Sequence, residues 1–194
     1  MCSNMPITST KTDNRMLVDA WPLRGEKVEI YPFRIEDITD SYLGWLNDPE
    51  VLQYSNQRFH VHDRDSCTRY LASFEKSHNL FLSVRRRDNG CAIGTMTVYF
   101  SPHHGTADVG IMIGERAVWG KGYGQDAWNT VIEWLLSHEA IRKVTAGTLA
   151  CNYGMLKLME RSGMTLEAVR NKQELVAGEP IDILYYLKWH ETKS

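Results

Sequence analysis

Apolar positions along the chain change period several times, and the changes outline the elements. Periodicity begins near Glu26; the first 24 residues are rich in Ser, Thr, Asn and Asp and read as a tail, either docked on the domain or flexible. A single domain is expected over residues 25–190. Residues 27–34 (KVEIYPFR) read as a strand, placed at an edge or a strand end by Pro32. Ile38, Tyr42, Trp45 and Leu46 then recur at helical spacing, and Asn47-Asp48-Pro49 stops that helix. A second helix follows Asp63, with Cys67, Tyr70, Leu71 and Phe74 on one face. Residues 80–86 and 91–100 predict two strands joined by Asp88-Asn89-Gly90, a hairpin turn. After the turn at residues 101–105, residues 106–113 continue the meander as a third strand.

The second half alternates. A glycine-rich loop, Gly120-Lys121-Gly122-Tyr123-Gly124, leads directly into a long helix whose buried stripe is Trp128, Val131, Ile132, Leu135 and Leu136. Residues 143–149 form the next strand. Asn152 can cap a short helix carrying Met155, Leu158 and Met159, and Gly163 ends it. Two final strands are expected near residues 165–169 and 181–189. Antiparallel strands first, then strand–helix–strand–helix–strand, predict an α+β fold: one mixed, mostly antiparallel sheet flanked by helices.

Composition narrows the function classes. With 194 residues, 43% hydrophobic and 24% charged, the chain can bury a core without metal or disulfide staples. Its 22 basic and 24 acidic residues leave a net charge of -2, which argues against a nucleic-acid partner. No apolar run reaches the roughly 20 residues needed to cross a bilayer, and the N-terminus has no apolar h-region. Cys2, Cys67, Cys91 and Cys151 are scattered, with no CxxC spacing and no clustered His, so reduced thiols in a cytoplasmic protein are expected. His103-His104 fall in a turn without metal-binding spacing, and no metal is expected.

The chemistry concentrates in the glycine loop. A helix N-terminus leaves its first N–H groups unpaired and carries partial positive charge. Alternating glycines let that backbone close around an anion, so the loop reads as a phosphate or pyrophosphate cradle; it reads equally as a tight connection. A Walker loop is excluded because no GxxxxGK[ST] run exists. A dinucleotide fingerprint fails too, because Gly120, Gly122 and Gly124 are spaced GxGxG and follow a meander.

Trp119-Gly120-Lys121-Gly122-Tyr123-Gly124 after a strand and before a helix resembles the cofactor-binding motif of the GNAT N-acetyltransferase superfamily, with Trp119 where Gln or Arg is usual. Residues 152–164 (NYGMLKLMERSGM) are similar to that family's N-x-x-A-x-x-L-Y-E-x-x-G-F helix. Leu43-Gly44-Trp45-Leu46-Asn47-Asp48-Pro49-Glu50-Val51 resembles the W-x-N-D-P-x-V signature of its ribosomal-protein-alanine and amino-sugar branch. The resemblance implies acetyl-coenzyme A as cofactor, with coenzyme A as product. Trp119, Gly120, Lys121, Gly122, Tyr123, Gly124 and Gln125, the last taken as the first helical residue, would hold the pyrophosphate. Main-chain groups of Met112, Ile113 and Gly114 would pair with pantetheine. Asn152 would reach the cofactor, act as a plain helix cap, or do both.

In this family a neutral amine attacks the thioester, so an ammonium must first lose a proton. Counting back from Trp119, Asp108 falls where relatives of the histone-modifying type carry a glutamate base. It alternates with Ala107, Val109 and Ile111 and so faces away from them; it reads equally as a solvent-facing carboxylate. Glu115, at the strand's end, is the second catalytic candidate. The tyrosine that many members use as general acid falls at Met159, which cannot donate a proton. Cys151 is discounted as a nucleophile because no His is placed to activate it. The acceptor site would be built from residues 47–59, with Tyr54, Asn56 and Arg58 as substrate contacts and His60 and His62 nearby. The implied reaction is acetyl transfer to a primary amine of a small molecule, an amino sugar or a nucleotide-linked one among them. The alternatives are a protein N-terminus as acceptor, or a coenzyme A-binding module without catalysis. A homodimer is compatible with the resemblance.

Overall fold

The computed structural model describes residues 21–190. Among them the chain forms one eight-stranded mixed sheet in the order β1-β2-β3-β4-β5-β6-β8-β7. Strand β1 (Leu23–Arg24) pairs with β2 (Val28–Pro32), so the last four residues assigned to the tail are docked on the domain. The reason is burial. Leu23 is enclosed in the core and Trp21 packs on Trp134 at 5.4 Å between ring centroids. The remainder of the expected tail, residues 1–20, lies outside the described residues.

Helices α1 (Asp40–Leu46) and α2 (Arg64–Glu75) follow β2 and start at side-chain caps, Thr39 and Asp63. Strands β3 (Leu80–Arg86), β4 (Ala92–Ser101) and β5 (Thr106–Ile113) form the expected meander. The turn between β3 and β4 closes at Gly90, whose φ of 71° is costly for any residue with a Cβ. Helix α3 (Tyr123–Leu136) crosses over to β6 (Lys143–Leu149), which is the one strand parallel to its neighbour β5. Helix α4 (Tyr153–Arg161), β7 (Thr165–Val176) and β8 (Glu179–Trp189) complete the chain.

Alternation along the strands builds two cores. Val28, Ile30, Val84, Val98, Ala107 and Val109 point to one face and meet Ala127, Trp128, Val131 and Ile132 of α3. The opposite face carries Phe81, which packs with Tyr42, Leu46, Leu71 and Phe74 under α1 and α2. The hairpin of β7 and β8 is longer than the period-2 pattern predicted, because its residues 170–176 are mostly polar and exposed and carry no core-facing signal.

Asp126, in the first turn of α3, ties the N-terminal hairpin to the crossover. Its carboxylate accepts main-chain N–H bonds from Glu26 at 3.0 Å, Lys27 at 2.8 Å and Val28 at 3.0 Å. Gly25 is needed beside it, since a Cβ there would fall 2.4 Å from Asp126 Oδ2. Replacing Asp126 by Ala removes three charge-assisted bonds and should lower the unfolding free energy by about 2 kcal/mol. Urea unfolding of Asp126→Ala and Asp126→Asn checks this; the Asn variant keeps an acceptor and should lose less.

Candidate active site

Strands β5 and β6 are paired over only three positions, Thr106↔Lys143, Ala107↔Val144 and Asp108↔Thr145. Beyond them β6 pairs with β8 alone, out to Leu149↔Ile183, and the sheet splits. The Gly114 amide donates to the Ile93 carbonyl at 2.9 Å. By the alternation of an antiparallel ladder, the main-chain groups of Gly110 and Met112 therefore face β4, while those of Val109, Ile111 and Ile113 face the split. The Trp119 indole reaches the Ile113 carbonyl at 2.8 Å from that open side. Buried main-chain groups left unpaired are costly, so such a split is a place built for a partner with its own amides.

At the wide end of the split stands the glycine turn. Gly120 and Gly122 have φ of 72° and 85°, and Gly122 is the N-cap of α3. The Lys121 amide is turned inward onto the Val118 carbonyl at 3.2 Å. The amides of Gly120, Gly122, Tyr123, Gly124 and Gln125 have no acceptor among the described residues and sit at the positive end of a 14-residue helix. At Gly124 a Cβ would lie 3.4 Å from Ile113 and 3.8 Å from Leu158, narrowing the passage between split and turn. A cleft of about 1020 Å³ joins this turn to α4 in one direction and, past Thr97, Gly110 and Met112, to Tyr54, His60 and His62 in the other.

Residues 27–165 match the family model for the acetyltransferase (GNAT) domain. The chain belongs to the GNAT acetyltransferase family. It is an acetyl-coenzyme A-dependent N-acetyltransferase. Solved structures share the fold at low identity. A ribosomal-protein-S5-alanine acetyltransferase from Vibrio fischeri is 17% identical, with a TM-score of 0.74 over 87% of this chain and 96% of that one. A spermidine N-acetyltransferase from Vibrio cholerae, solved with coenzyme A and spermine, is 14% identical, with a TM-score of 0.74 over 84% and 95%. A ribosomal L7/L12 alpha-N-protein acetyltransferase, solved with coenzyme A, is 13% identical, with a TM-score of 0.75 over 87% and 96%. No curated protein matches the chain in sequence.

Within this GNAT domain the sequence-predicted residues separate into those at the cleft and those committed elsewhere. Helix α3 starts at Tyr123, so Gln125 is its third residue and not its first. The Gln125 side chain is spent bridging to Asn129 at 3.0 Å and to the Leu158 carbonyl at 3.2 Å. Trp119, in the usual Gln or Arg position, is a strut between the end of β5 and the turn, with Arg116 over its ring at 5.9 Å. Asn152 caps α4: its carbonyl oxygen accepts from Met155 at 3.2 Å and its amide donates to Thr148 at 3.1 Å, while the residue also lines the cleft.

Asp108 sits at the apex of the split, on the same sheet face as Thr97 and Gly110. Its carboxylate accepts a 2.7 Å bond from the Thr145 hydroxyl. The residue as a whole is exposed, while its carboxyl, held against Thr145, is partly desolvated. That desolvation raises its pKa above the ordinary value, with the Thr145 bond opposing it. Glu115 is not brought to the cleft. Its carboxylate accepts from the Ala117 amide at 3.0 Å and lines a separate cavity of about 310 Å³ with Arg86 and Cys91. Met159 is fully buried in the core, so no side chain faces the cleft from the family tyrosine's position. Of the acceptor residues, Tyr54 lines the cleft. Asn56 and Arg58 turn away from it to the β7–β8 hairpin: Asn56 donates to Glu174 at 3.0 Å and Arg58 to the Leu175 carbonyl at 3.1 Å.

Lys27, Lys157 and Arg161 were not singled out by the sequence, whereas Trp45, Asn47 and Asp48 belong to a stretch that was. The Lys27 ammonium donates to the Lys121 carbonyl at 2.8 Å and stands 3.4 Å from where a Cβ on Gly122 would be. Lys157 and Arg161 of α4 line the cleft. Asn47 staples its loop by donating to the His62 carbonyl at 2.8 Å and accepting from the His62 amide at 3.0 Å. Asp48 pairs with Arg116 at 3.6 Å, and Trp45 lies against Gly114, where a Cβ would fall 2.2 Å from the ring. The W-x-N-D-P stretch thus fastens the loop after α1 to the end of β5. Only the Trp-Gly contact in it carries a residue-type signal.

The raised pKa of Asp108 fixes a sign. The folded chain holds that proton more tightly than the unfolded one, so the stability it adds is complete below the unfolded value near 3.8 and is lost as pH rises through the folded value. Asp108→Asn should therefore be more resistant to urea than the parent protein at pH 7, and the gain should vanish at pH values below 3.8.

Proposed function

We propose that the protein transfers acetyl from acetyl-coenzyme A to the primary amine of a small molecule, with Asp108 as general base. The single observation that carries this reading is the continuity of the cleft from the free amides of the glycine turn along the open main chain of β5 to Gly110, two residues from Asp108 at the last β5–β6 pair. Bound acetyl-coenzyme A supplies an activated acetyl group as a thioester. The amides of Gly120, Gly122, Tyr123, Gly124 and Gln125 suit a diphosphate, and Lys27 adds charge beside Gly122. The main-chain groups of Ile111 and the N–H of Ile113 suit pantetheine. Gly114 and Met112 contribute packing there, because their main-chain groups serve β4.

The incoming amine is an ammonium at neutral pH and cannot attack until it loses a proton. Asp108 takes that proton, directly or through one water, and its raised pKa makes it a better base than an ordinary aspartate. The thiolate that leaves has a pKa near the reference Cys value of about 8.5. Solvent can therefore reprotonate it, which fits a cleft with methionine and leucine, Met155 and Leu158, on its α4 side. An amino sugar as acceptor rested on Tyr54, Asn56 and Arg58. Only Tyr54 supports it from the cleft, so the acceptor is taken as a small amine without a sugar-specific contact.

A thiol-release assay with a panel of amines tests the transfer. Asp108→Asn should lower kcat by about 10²-fold or more and flatten the acidic limb of the pH–rate profile. Gly122→Ala forces a Cβ into a left-handed backbone and should raise KM for acetyl-coenzyme A about ten-fold with a smaller change in kcat, since the strain of about 1–2 kcal/mol falls on the binding turn. An unchanged KM in that variant would remove the turn from cofactor binding. Thermal stabilisation by acetyl-coenzyme A without release of thiol on any amine would favour the non-catalytic alternative.

A further inference from the structure

The glycine turn has two sides. Gly120, Gly122 and Gly124 line the cleft, while Lys121 and Tyr123 between them line the separate cavity of about 310 Å³. The peptides along the turn are not held alike. The Lys121 amide donates to the Val118 carbonyl at 3.2 Å, and the Gly122 carbonyl accepts from the Asp126 amide at 3.0 Å. The Lys121–Gly122 peptide between them has no main-chain bond among the described residues. Its partner there is a side chain: the Lys27 ammonium donates to the Lys121 carbonyl at 2.8 Å.

Without that contact the peptide could turn over on its own. A planar trans peptide points its carbonyl and its N–H in opposite directions. Turning it over would take the Gly122 N–H out of the cleft, and glycine, at a φ of 85° here, accepts either sign of φ. Lys27 opposes this from the carbonyl side. An ammonium on that carbonyl also polarises the amide, which makes the Gly122 N–H a stronger donor.

Lys27 reaches the turn from a fixed base. Its own amide is held by Asp126 at 2.8 Å, and its carbonyl accepts from the Arg87 amide at 2.9 Å. The ammonium also lies 5.7 Å from the centre of the ring of Tyr123, the first residue of α3. The residue is exposed, so truncating it opens no cavity in the core.

Resting on the reading of this turn as the diphosphate site, we propose that Lys27 is a positioning residue for acetyl-coenzyme A. It lies outside the glycine motif and acts through the Lys121–Gly122 peptide. Its ammonium keeps the Gly122 N–H directed into the cleft and strengthens it as a donor to the diphosphate.

Calorimetric titration of the full chain with coenzyme A tests this. Lys27→Met should raise Kd about ten-fold, the loss of one charge-assisted contact behind the donor. Lys27→Arg keeps a charged donor and should stay within about three-fold of the parent. Dephospho-coenzyme A keeps the diphosphate and lacks the phosphate on the ribose, so Lys27→Met should weaken it by the same factor. Thermal unfolding without ligand should not move in either variant. An unchanged Kd in Lys27→Met, no recovery in Lys27→Arg, a loss confined to coenzyme A with its ribose phosphate, or a loss matched by a lower Tm overturns the proposal. Gly122→Ala separates that failure from failure of the turn itself. If it weakens coenzyme A while Lys27→Met does not, the turn still binds the diphosphate; if neither does, both readings fall.

Discussion

The constraint on which this structure turns is a sheet that is allowed to come apart. Strand β6 leaves β5 after Asp108↔Thr145, and the main chain of residues 109–113 is left without a strand partner on one side, where only the Ile113 carbonyl is met, by the Trp119 indole. A sheet closed along that line would be more stable by several hydrogen bonds, and it would also have no site. The opening is held from both sides. Strand β6 is paired along its other edge with β8, and α3 and α4 are fixed to one another by Gln125 and by the Trp128 indole on the Ser162 hydroxyl at 3.2 Å. The split is therefore a rigid feature of two packed layers, and a ligand with amides of its own can complete it.

The glycine turn sits at the mouth of that split because the rest of the N-terminal half holds it there. Asp126 binds the β1–β2 turn to the first turn of α3, and Lys27 from the same turn closes on the Lys121 carbonyl. On the other side Arg116 joins the turn to Asp48 and Glu50, and the Trp119 indole joins it to Ile113. These contacts spend the polar side chains near the turn on fixing its shape and leave its amides free. Preorganised donors of this kind need no rearrangement when an anion arrives.

Much of the fold was legible because the signals are local. The bounds of β3, β5 and β6 follow the apolar alternation, α2 begins after Asp63, and the cap Asn152 stands where its side chain promised. The β7–β8 hairpin was read short, since residues 170–176 carry polar side chains on both faces and so have no period to read. At the cleft, the glycine turn stands at its mouth where the motif puts it, and Asp108 closes the paired part of β5 and β6. Glu115, Asn56 and Arg58 are bonded away from the cleft, and a polar side chain near a motif does not reveal whether a neighbouring group has already claimed it.

What the sequence by itself determined was the alternation of elements and the left-handed glycines at the start of α3. Those follow from Cβ sterics and from side-chain periodicity, which act over a few residues. Only the tertiary structure decided which main-chain groups face the split, that Lys27 joins the turn, and that Glu50 at the cleft is ion-paired with Arg116. Those are outcomes of packing between residues far apart in the chain, where the nearest partner wins and sequence spacing says nothing about which partner is nearest.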